Sequence, residues 1–343
     1  MEWATLQYSK GKVDWAGNLL ASGAGSITEN DEALEVLSNW RAAHAFPLNT
    51  IQIGLRKKAR KVYEHAAVAQ RLKRVPSIIL KIQRFPTMNL SRMQDIGGCR
   101  AVVETVGQVR RLRSAYARSK QQPKLVGEKD YIVSPKESGY RGIHLIYRFQ
   151  SEMTPEHNGR LIELQLRSRF QHAWATAVET VGTFLQQSLK SSQGSDKWLE
   201  FFTLTGSAFA VMEKTPLVPH TPKSEQALRR EIKQLASALE VTKTLTAYGQ
   251  AVQVSAGKVL KNAYYFLLSF VPEHLTVYSF RRDQLEMATE RYLEIEKSQS
   301  VIAGAQAVLV SSESLAALRR AYPNYFMDTQ IFMQTLSRFM DGA

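Results

Sequence analysis

The chain has 343 residues, 44% of them hydrophobic, a formal charge of +14 and one cysteine, enough to bury one large core or two domains of ordinary size. Cys99 alone excludes an internal disulfide and any zinc site built on several cysteines; taken by itself it reads as a small buried apolar residue. The start Met1-Glu2-Trp3-Ala4-Thr5 lacks a basic run followed by an apolar one, and no stretch approaches the ~18 apolar residues of a membrane span, so a cytoplasmic protein without a membrane segment is expected.

The charge is concentrated. Residues 51–130 hold 19 Lys/Arg against 5 Asp/Glu, which is the whole of the formal excess. Such a focus attracts polyanions, whether nucleoside triphosphates or RNA, by counterion release. A solvated basic face would have the same composition.

In chain order, residues 31–70 predict helix, with Leu34, Val36, Leu37 and Trp40, then Leu55, Ala59, Val62 and Ala66 near helical spacing. Pro76-Ser77 restarts the chain as a helix-start signal. Strands are expected near 99–103, 130–133, 143–149 and 161–167, with a basic amphipathic helix near 106–119: a mixed sheet flanked by helices. A long helix over 170–189 leads to a polar loop at 191–195. Pro216, Pro219 and Pro222 fall every third residue and predict an extended connector. Beyond it come helical segments to about residue 258, strands at 264–270 and 275–280, a helix near 282–296, a strand at 307–310 and two closing helices. The expected domains are a helical extension over 1–49, a catalytic-type domain over 50–212, the connector over 213–223 and a small α/β region over 224–343.

Four pieces carry candidate chemistry. In Leu161-Ile162-Glu163-Leu164-Gln165-Leu166-Arg167 the strand period puts Glu163, Gln165 and Arg167 on one face and the aliphatics on the other; alone this is an ordinary half-exposed strand. Arg71 and Lys73 precede Ser77, Lys81 and Arg84, the last three at offsets that share one helix side; three donors there suit a triphosphate, or simply solvent. Asp95-Ile96-Gly97-Gly98-Cys99-Arg100 places a carboxylate able to hold Mg²⁺ beside paired glycines, and is otherwise a turn into a strand. Lys129-Asp130-Tyr131-Ile132 runs through Lys136 to Ser138-Gly139-Tyr140-Arg141-Gly142-Ile143-His144, where Tyr140 offers a plane for a base and His144 lies four residues on.

The order of these pieces resembles the synthetase domain of the RelA/SpoT family, over roughly residues 50–190 and as far as Trp174-Ala175 and Glu179. The resemblance implies an α+β, nucleotidyltransferase-like fold and an ATP-dependent pyrophosphotransferase. It further implies that Arg71 and Arg100 sandwich adenine, with Lys73 in the same basic set, and that Ser77, Lys81 and Arg84 hold the phosphates. Asp95 and Glu163 would bind Mg²⁺, and Glu163 would help deprotonate a 3′-hydroxyl that attacks the β-phosphorus. Tyr140 would stack on the acceptor's base, with Lys136, His144, Gln165 and Arg167 around it. Positioning and cationic charge suit such a transfer better than covalent chemistry does.

No Gly-x₄-Gly-Lys-Ser/Thr loop and no His-Asp dipeptide occur in the sequence, which argues against a Walker-type ATPase and against the family's hydrolase domain. The acceptor loop departs from the family's usual Asn-Gly-Tyr-Gln-Ser-Leu-His at Arg141 and Gly142, which weakens the case for GDP or GTP as acceptor. Tyr8-Ser9-Lys10, the spelling Gln94 to Arg100 and Tyr322-Pro323-Asn324-Tyr325 together resemble the CapRel group of fused toxin–antitoxin synthetases. That resemblance implies pyrophosphorylation of the tRNA 3′-CCA end, restraint in cis by Tyr322 and Tyr325 on a cysteine-free pseudo-zinc-finger, and release by a phage protein such as a capsid protein. By spacing alone, Tyr322 to Tyr325 is a helix-breaking turn with two half-buried aromatics. The alternatives are a guanine-nucleotide pyrophosphokinase and a non-catalytic RNA-binding sensor; the presence of both Asp95 and Glu163 argues against the latter.

Overall fold

The computed structural model describes residues 3–342 apart from 118–123, 186–195, 252, 257–259, 261, 273, 300–301, 303–304, 313 and 327. In chain order the elements are α1 (Lys10–Ser22), α2 (Ile27–Ala42), α3 (Ala45–Val62), β1 (Ala67–Leu72), α4 (Val75–Arg84), β2 (Gly97–Val103), α5 (Val106–Ala117), β3 (Lys124–Asp130), β4 (Ile143–Arg148) and β5 (Leu161–Ser168). There follow α6 (Arg169–Phe184), α7 (Asp196–Met212), α8 (Glu225–Ala238), α9 (Val241–Ala251), β6 (Gln253–Ala256), β7 (Tyr265–Val271), β8 (His274–Phe280), α10 (Leu285–Gln299), β9 (Gln306–Ser311), α11 (Leu315–Ala321) and α12 (Gln330–Asp341). Among the described residues no helix is long and apolar enough to cross a membrane.

The described strands form one nine-stranded sheet, in the order β3-β4-β5-β2-β1-β9-β7-β8-β6. The expected mixed sheet is present: β2 and β5 run parallel, and β1 pairs antiparallel with β2. Strand pairing also crosses the proline-rich segment in sequence, because β1 pairs with β9 through Gln70 opposite Ser311 and Arg71 opposite Val310. The C-terminal α/β region thus extends the sheet.

The alternation of side chains divides the first half into two faces. Cys99, Ala101, Ile143, Leu145, Ile162, Leu164 and Leu166 point into a core closed by Leu48, Ile51 and Leu55 of α3 and Val109 and Leu112 of α5. The opposite face, in register, carries Arg71 beside Gly98, Gly98 beside Glu163, Arg100 beside Gln165, and Gln165 beside His144. In the C-terminal half, Leu318, Ala321, Tyr322 and Tyr325 cover a continuation of this face formed by Ala69, Phe266, Leu268, Phe270 and Val310. The other side of that half packs Tyr265, Leu267 and Ala307 against Ala288, Tyr292 and Ile295 of α10.

Several expectations are corrected. Residues 67–72 are strand rather than the end of a helix, since both neighbours of β1 are distant in sequence and local periodicity cannot report them. The strand expected at 130–133 lies earlier, at Lys124–Asp130; Asp130 Oδ1 accepts the main-chain N–H groups of Ile132 and Val133, which turns the chain. The helical stretch expected to reach 258 ends at Ala251 and is followed by β6, and the helix near 282–296 is Leu285–Gln299. Of the helix expected over 170–189, Arg169–Phe184 is described; residues 186–189 and the loop at 191–195 lie outside the described residues. Cys99 is buried, as expected.

Candidate functional site

Short connections aim the side chains. Ser168 ends β5 and caps α6, its hydroxyl accepting from Gln171 N while the Gln171 side chain accepts from Ser168 N; this capping box fixes the turn between Arg167 and His172. The Tyr140 loop is set by Gly139, which has φ +91° and packs so closely on α7 that a Cβ there would stand 2.7 Å from the Phe202 carbonyl.

Glu163 is the centre of a chain of hydrogen bonds. His144 Nδ1 lies 2.9 Å from Glu163 Oε1, and Gln165 Nε2 donates to Glu163 Oε2 at 2.7 Å. With the hydrogen on Nδ1, His144 donates to Glu163 and accepts at Nε2 from the Tyr140 hydroxyl, 2.6 Å away. Arg167 Nη2 donates to both the Tyr140 hydroxyl and Gln165 Oε1, at 3.0 and 2.8 Å. Burial opposes ionisation of Glu163, but the hydrogen bonds it accepts from His144 and Gln165 outweigh it and hold the carboxyl below its ordinary range.

Asp95 is clamped by two lysines, Lys73 Nζ at 2.9 Å and Lys81 Nζ at 2.8 Å. Burial again acts upward, and the two ammonium groups overcome it, taking the carboxyl down to about 2. Lys73 is pushed down by burial despite Asp95. Of the α4 stripe, Lys81 reaches Asp95, whereas Ser77 is half-buried, Arg84 is exposed, and neither lines the cavity described next. Lys136 lies over the rings of Tyr131 and Tyr140, at 4.6 and 5.3 Å, and burial lowers its pKa.

Arg71, Lys73, Asp95, Gly98, Arg100, Glu163, Gln165 and Tyr322 meet around one cavity of about 60 Å³. Seven of the residues singled out by sequence thus line the cavity; Lys81 joins them through Asp95, and His144, Tyr140 and Arg167 through the hydrogen-bond chain from Glu163. Arg100 is buried, with its guanidinium 5.5 Å from the centre of the Tyr322 ring and Nη1 3.4 Å from the Ala321 carbonyl; burial and neighbouring Arg167 bring its pKa down to about 10. Burial also opposes the charge on Arg71, but the surroundings of Tyr325, Glu179 and Tyr322 raise its pKa overall, with a hydrogen bond to Tyr325 contributing. The Tyr322 hydroxyl donates to the Gln70 carbonyl at 2.8 Å. Tyr322 and Tyr325 are 1% and 2% exposed, not the half-buried pair that spacing alone suggested.

Two expectations change in meaning. Tyr140 is 6% exposed and packed edge-on to Trp174, so in this arrangement its ring is a wall rather than an open platform. Arg141 is engaged within the fold: it is buried against Glu213 at 2.9 Å and donates to Thr215 Oγ1 at 2.9 Å. That departure from the family loop is structural. Sequence reasoning missed Arg41, whose Nε donates to the Lys73 carbonyl at 2.9 Å and whose Nη1 meets Glu296 at 3.0 Å; nothing in local spacing links residues 255 positions apart.

Residues 70–182 match the protein family described as "Region found in RelA / SpoT proteins". The chain is 32% identical over 111 residues to the GTP pyrophosphokinase YjbM of Bacillus subtilis (strain 168), covering 32% of this chain and 52% of that protein. It thus spans about half the length of that relative. It is 23% identical over 165 residues to the GTP pyrophosphokinase YwaC of the same organism, covering 44% of this chain and 78% of that one. A crystal structure of the small alarmone synthetase 1 from Bacillus subtilis bound to its product pppGpp is similar at 24% identity and a TM-score of 0.43, over 50% of this chain and 89% of that one.

Proposed function

We propose that the chain is an ATP-dependent pyrophosphotransferase of RelA/SpoT type, restrained in cis by its C-terminal region, with the 3′-CCA end of tRNA as acceptor. The observation that carries the reading is the meeting of Asp95, Glu163, Arg71, Lys73 and Arg100 around one cavity, within the matched region. In the reaction an acceptor 3′-oxygen bonds to the β-phosphorus of ATP, the bond between the β-phosphorus and the oxygen bridging to the α-phosphorus breaks, and AMP leaves. Glu163, held ionised and oriented by His144, takes the acceptor proton. Lys73 and Lys81, here engaged by Asp95, turn to the phosphates when ATP enters, and Arg71 and Arg100 grip adenine. Lys136 and Arg167 steady the acceptor.

Two ionised carboxylates facing a site for phosphate oxygens form a donor set that fits Mg²⁺. Asp95 and Glu163 would hold the ion, which would supply neutralising charge to the transferring phosphates.

Support for restraint comes from volume. A cavity of about 60 Å³ falls far below the roughly 300 Å³ at which ligand pockets begin, and Tyr322 forms part of its wall beside Arg71 and Arg100. A partner that prefers the C-terminal region displaced, by resemblance a phage capsid protein, would shift the population towards an open site and give a role in anti-phage defence.

The tRNA acceptor is supported by the basic charge of residues 51–130. Part of that basic charge is taken up within the fold: Arg110 pairs with Asp130, and Arg113 with Glu128 at 2.8 Å. A guanine-nucleotide acceptor is the second reading, favoured by the names of YjbM and YwaC. Incubating ATP labelled at the γ-phosphate with tRNA, GDP or GTP tests both, using the parent chain and the Tyr322→Ala/Tyr325→Ala variant. Label on tRNA is expected, stronger in the variant. Label on GDP or GTP alone selects the second reading, and none on any acceptor overturns the activity.

A further inference from the structure

A second cavity, of about 290 Å³, is lined in part by Lys10, Trp40, Arg92, Arg148 and Arg160. Four of these five are cationic, and no acidic residue lines the cavity. Arg160 is 8% exposed, and its Nε has no hydrogen-bond partner; the buried Trp40 Nε1 is likewise unpartnered. The Arg160 guanidinium lies 5.2 Å from the centre of the Trp40 ring, so its plane is held while donors are left over. No ion pair joins Lys10, Arg92, Arg148 or Arg160 to a carboxylate among the described residues. Asp14, which does not line the cavity, has both oxygens engaged by Ser91. A buried guanidinium without a counter-charge is costly unless an anion arrives.

The position relative to the first site is fixed by the sheet. Arg148 stands opposite Leu161 as Ile146 stands opposite Glu163 and His144 opposite Gln165. Arg148 is therefore on the face of His144, and Leu161, also on the cavity wall, is two residues, about 7 Å, along the strand from Glu163. Gly159, at φ +85°, ends the β4–β5 loop and returns Arg160 to this wall.

We infer that this cavity is a second anion site, taking a phosphate group of a nucleotide that lies outside the Asp95–Glu163 cavity, whether free or part of an RNA strand. Arg160 and Trp40 Nε1 supply fixed donors, and Lys10, Arg92 and Arg148 supply charge at the rim. The inference does not depend on pyrophosphate transfer, since binding is read without ATP.

The test is fluorescence titration of the full chain with methylanthraniloyl-GDP and, separately, with a fluorescein-labelled five-nucleotide RNA. The parent is compared with Arg92→Glu/Arg148→Glu, which changes two exposed side chains, and with Arg160→Gln. Affinity for at least one probe should fall about tenfold or more in the exposed double variant, with a shallower salt dependence; Arg92→Lys/Arg148→Lys should retain it. Loss confined to the mononucleotide identifies a free-nucleotide site, and loss confined to RNA identifies an RNA-backbone site. Unchanged affinity for both probes in a folded Arg92→Glu/Arg148→Glu chain, or no binding of either probe by the parent, overturns the inference.

Discussion

Arg41 on α2 and Glu296 on α10 form an ion pair at 3.0 Å with side-chain exposures of 4% and 16%. Tyr292 joins it, hydrogen-bonding both partners, and Arg41 also holds the Lys73 carbonyl. Glu296→Ala strands a buried guanidinium and should cost roughly 3–5 kcal/mol, read as a lower urea midpoint. Because α10 belongs to the C-terminal half, the variant should also be cut faster there by trypsin and show more transfer than the parent.

Tyr322→Phe and Tyr322→Ala separate the hydroxyl from the ring. Phenylalanine loses only the hydrogen bond to Gln70 O, about 0.5–1.5 kcal/mol, and keeps a ring against Arg100, so transfer should stay low. Alanine empties the wall, and transfer should rise at least about tenfold in a labelled-ATP assay, the result of removing a restraint worth roughly 1.4 kcal/mol or more. Equal activity in the two variants would remove the ring as the restraint.

Glu163→Gln keeps volume and fold but loses the negative charge that His144 and Gln165 orient; transfer should fall by at least about a hundredfold, with unchanged circular dichroism. Asp95→Asn should do likewise. It should also flatten acid unfolding: the carboxyl, ordinarily at 3.8, is held to about 2, so the stability it gives is present above pH 3.8 and is lost as pH falls towards 2.

His44 is buried, and desolvation takes its pKa from 6.5 to about 3 although Nδ1 lies 2.7 Å from the Trp40 carbonyl. Below pH 6.5 the unfolded chain binds a proton that the folded chain refuses, so stability declines as pH falls from 6.5 towards about 3. Between about pH 7 and 5 this group should account for about 2 kcal/mol; His157 and His172, shifted in the same direction by burial, add to the total. Urea unfolding of His44→Gln at the two pH values should show a smaller loss than the parent.

Gly206→Ala would place a Cβ 2.7 Å from Gly139 Cα and 2.8 Å from its carbonyl oxygen. Backbone cannot swing aside as a side chain can, so the variant should lose about 1–3 kcal/mol and loosen the loop that carries Tyr140. Thermal unfolding measures the first effect, and the Michaelis constant for the acceptor measures the second.

The two-residue period of β5 is a property of the chain itself, and it put Glu163, Gln165 and Arg167 on one face before any partner was known. The order of the basic set, Asp95 and the Tyr140 loop was likewise legible, because each motif is local. What tertiary structure alone decided was pairing. Whether Arg110, Arg113 and Arg141 serve a ligand or the fold depends on Asp130, Glu128 and Glu213, and whether residues 67–72 are strand depends on β2 and β9. The placement of Tyr322 against Arg100 joins residues far apart in the chain, a contact the tertiary fold establishes by continuing the sheet from β1 into β9 and laying α11 over the face that carries the site.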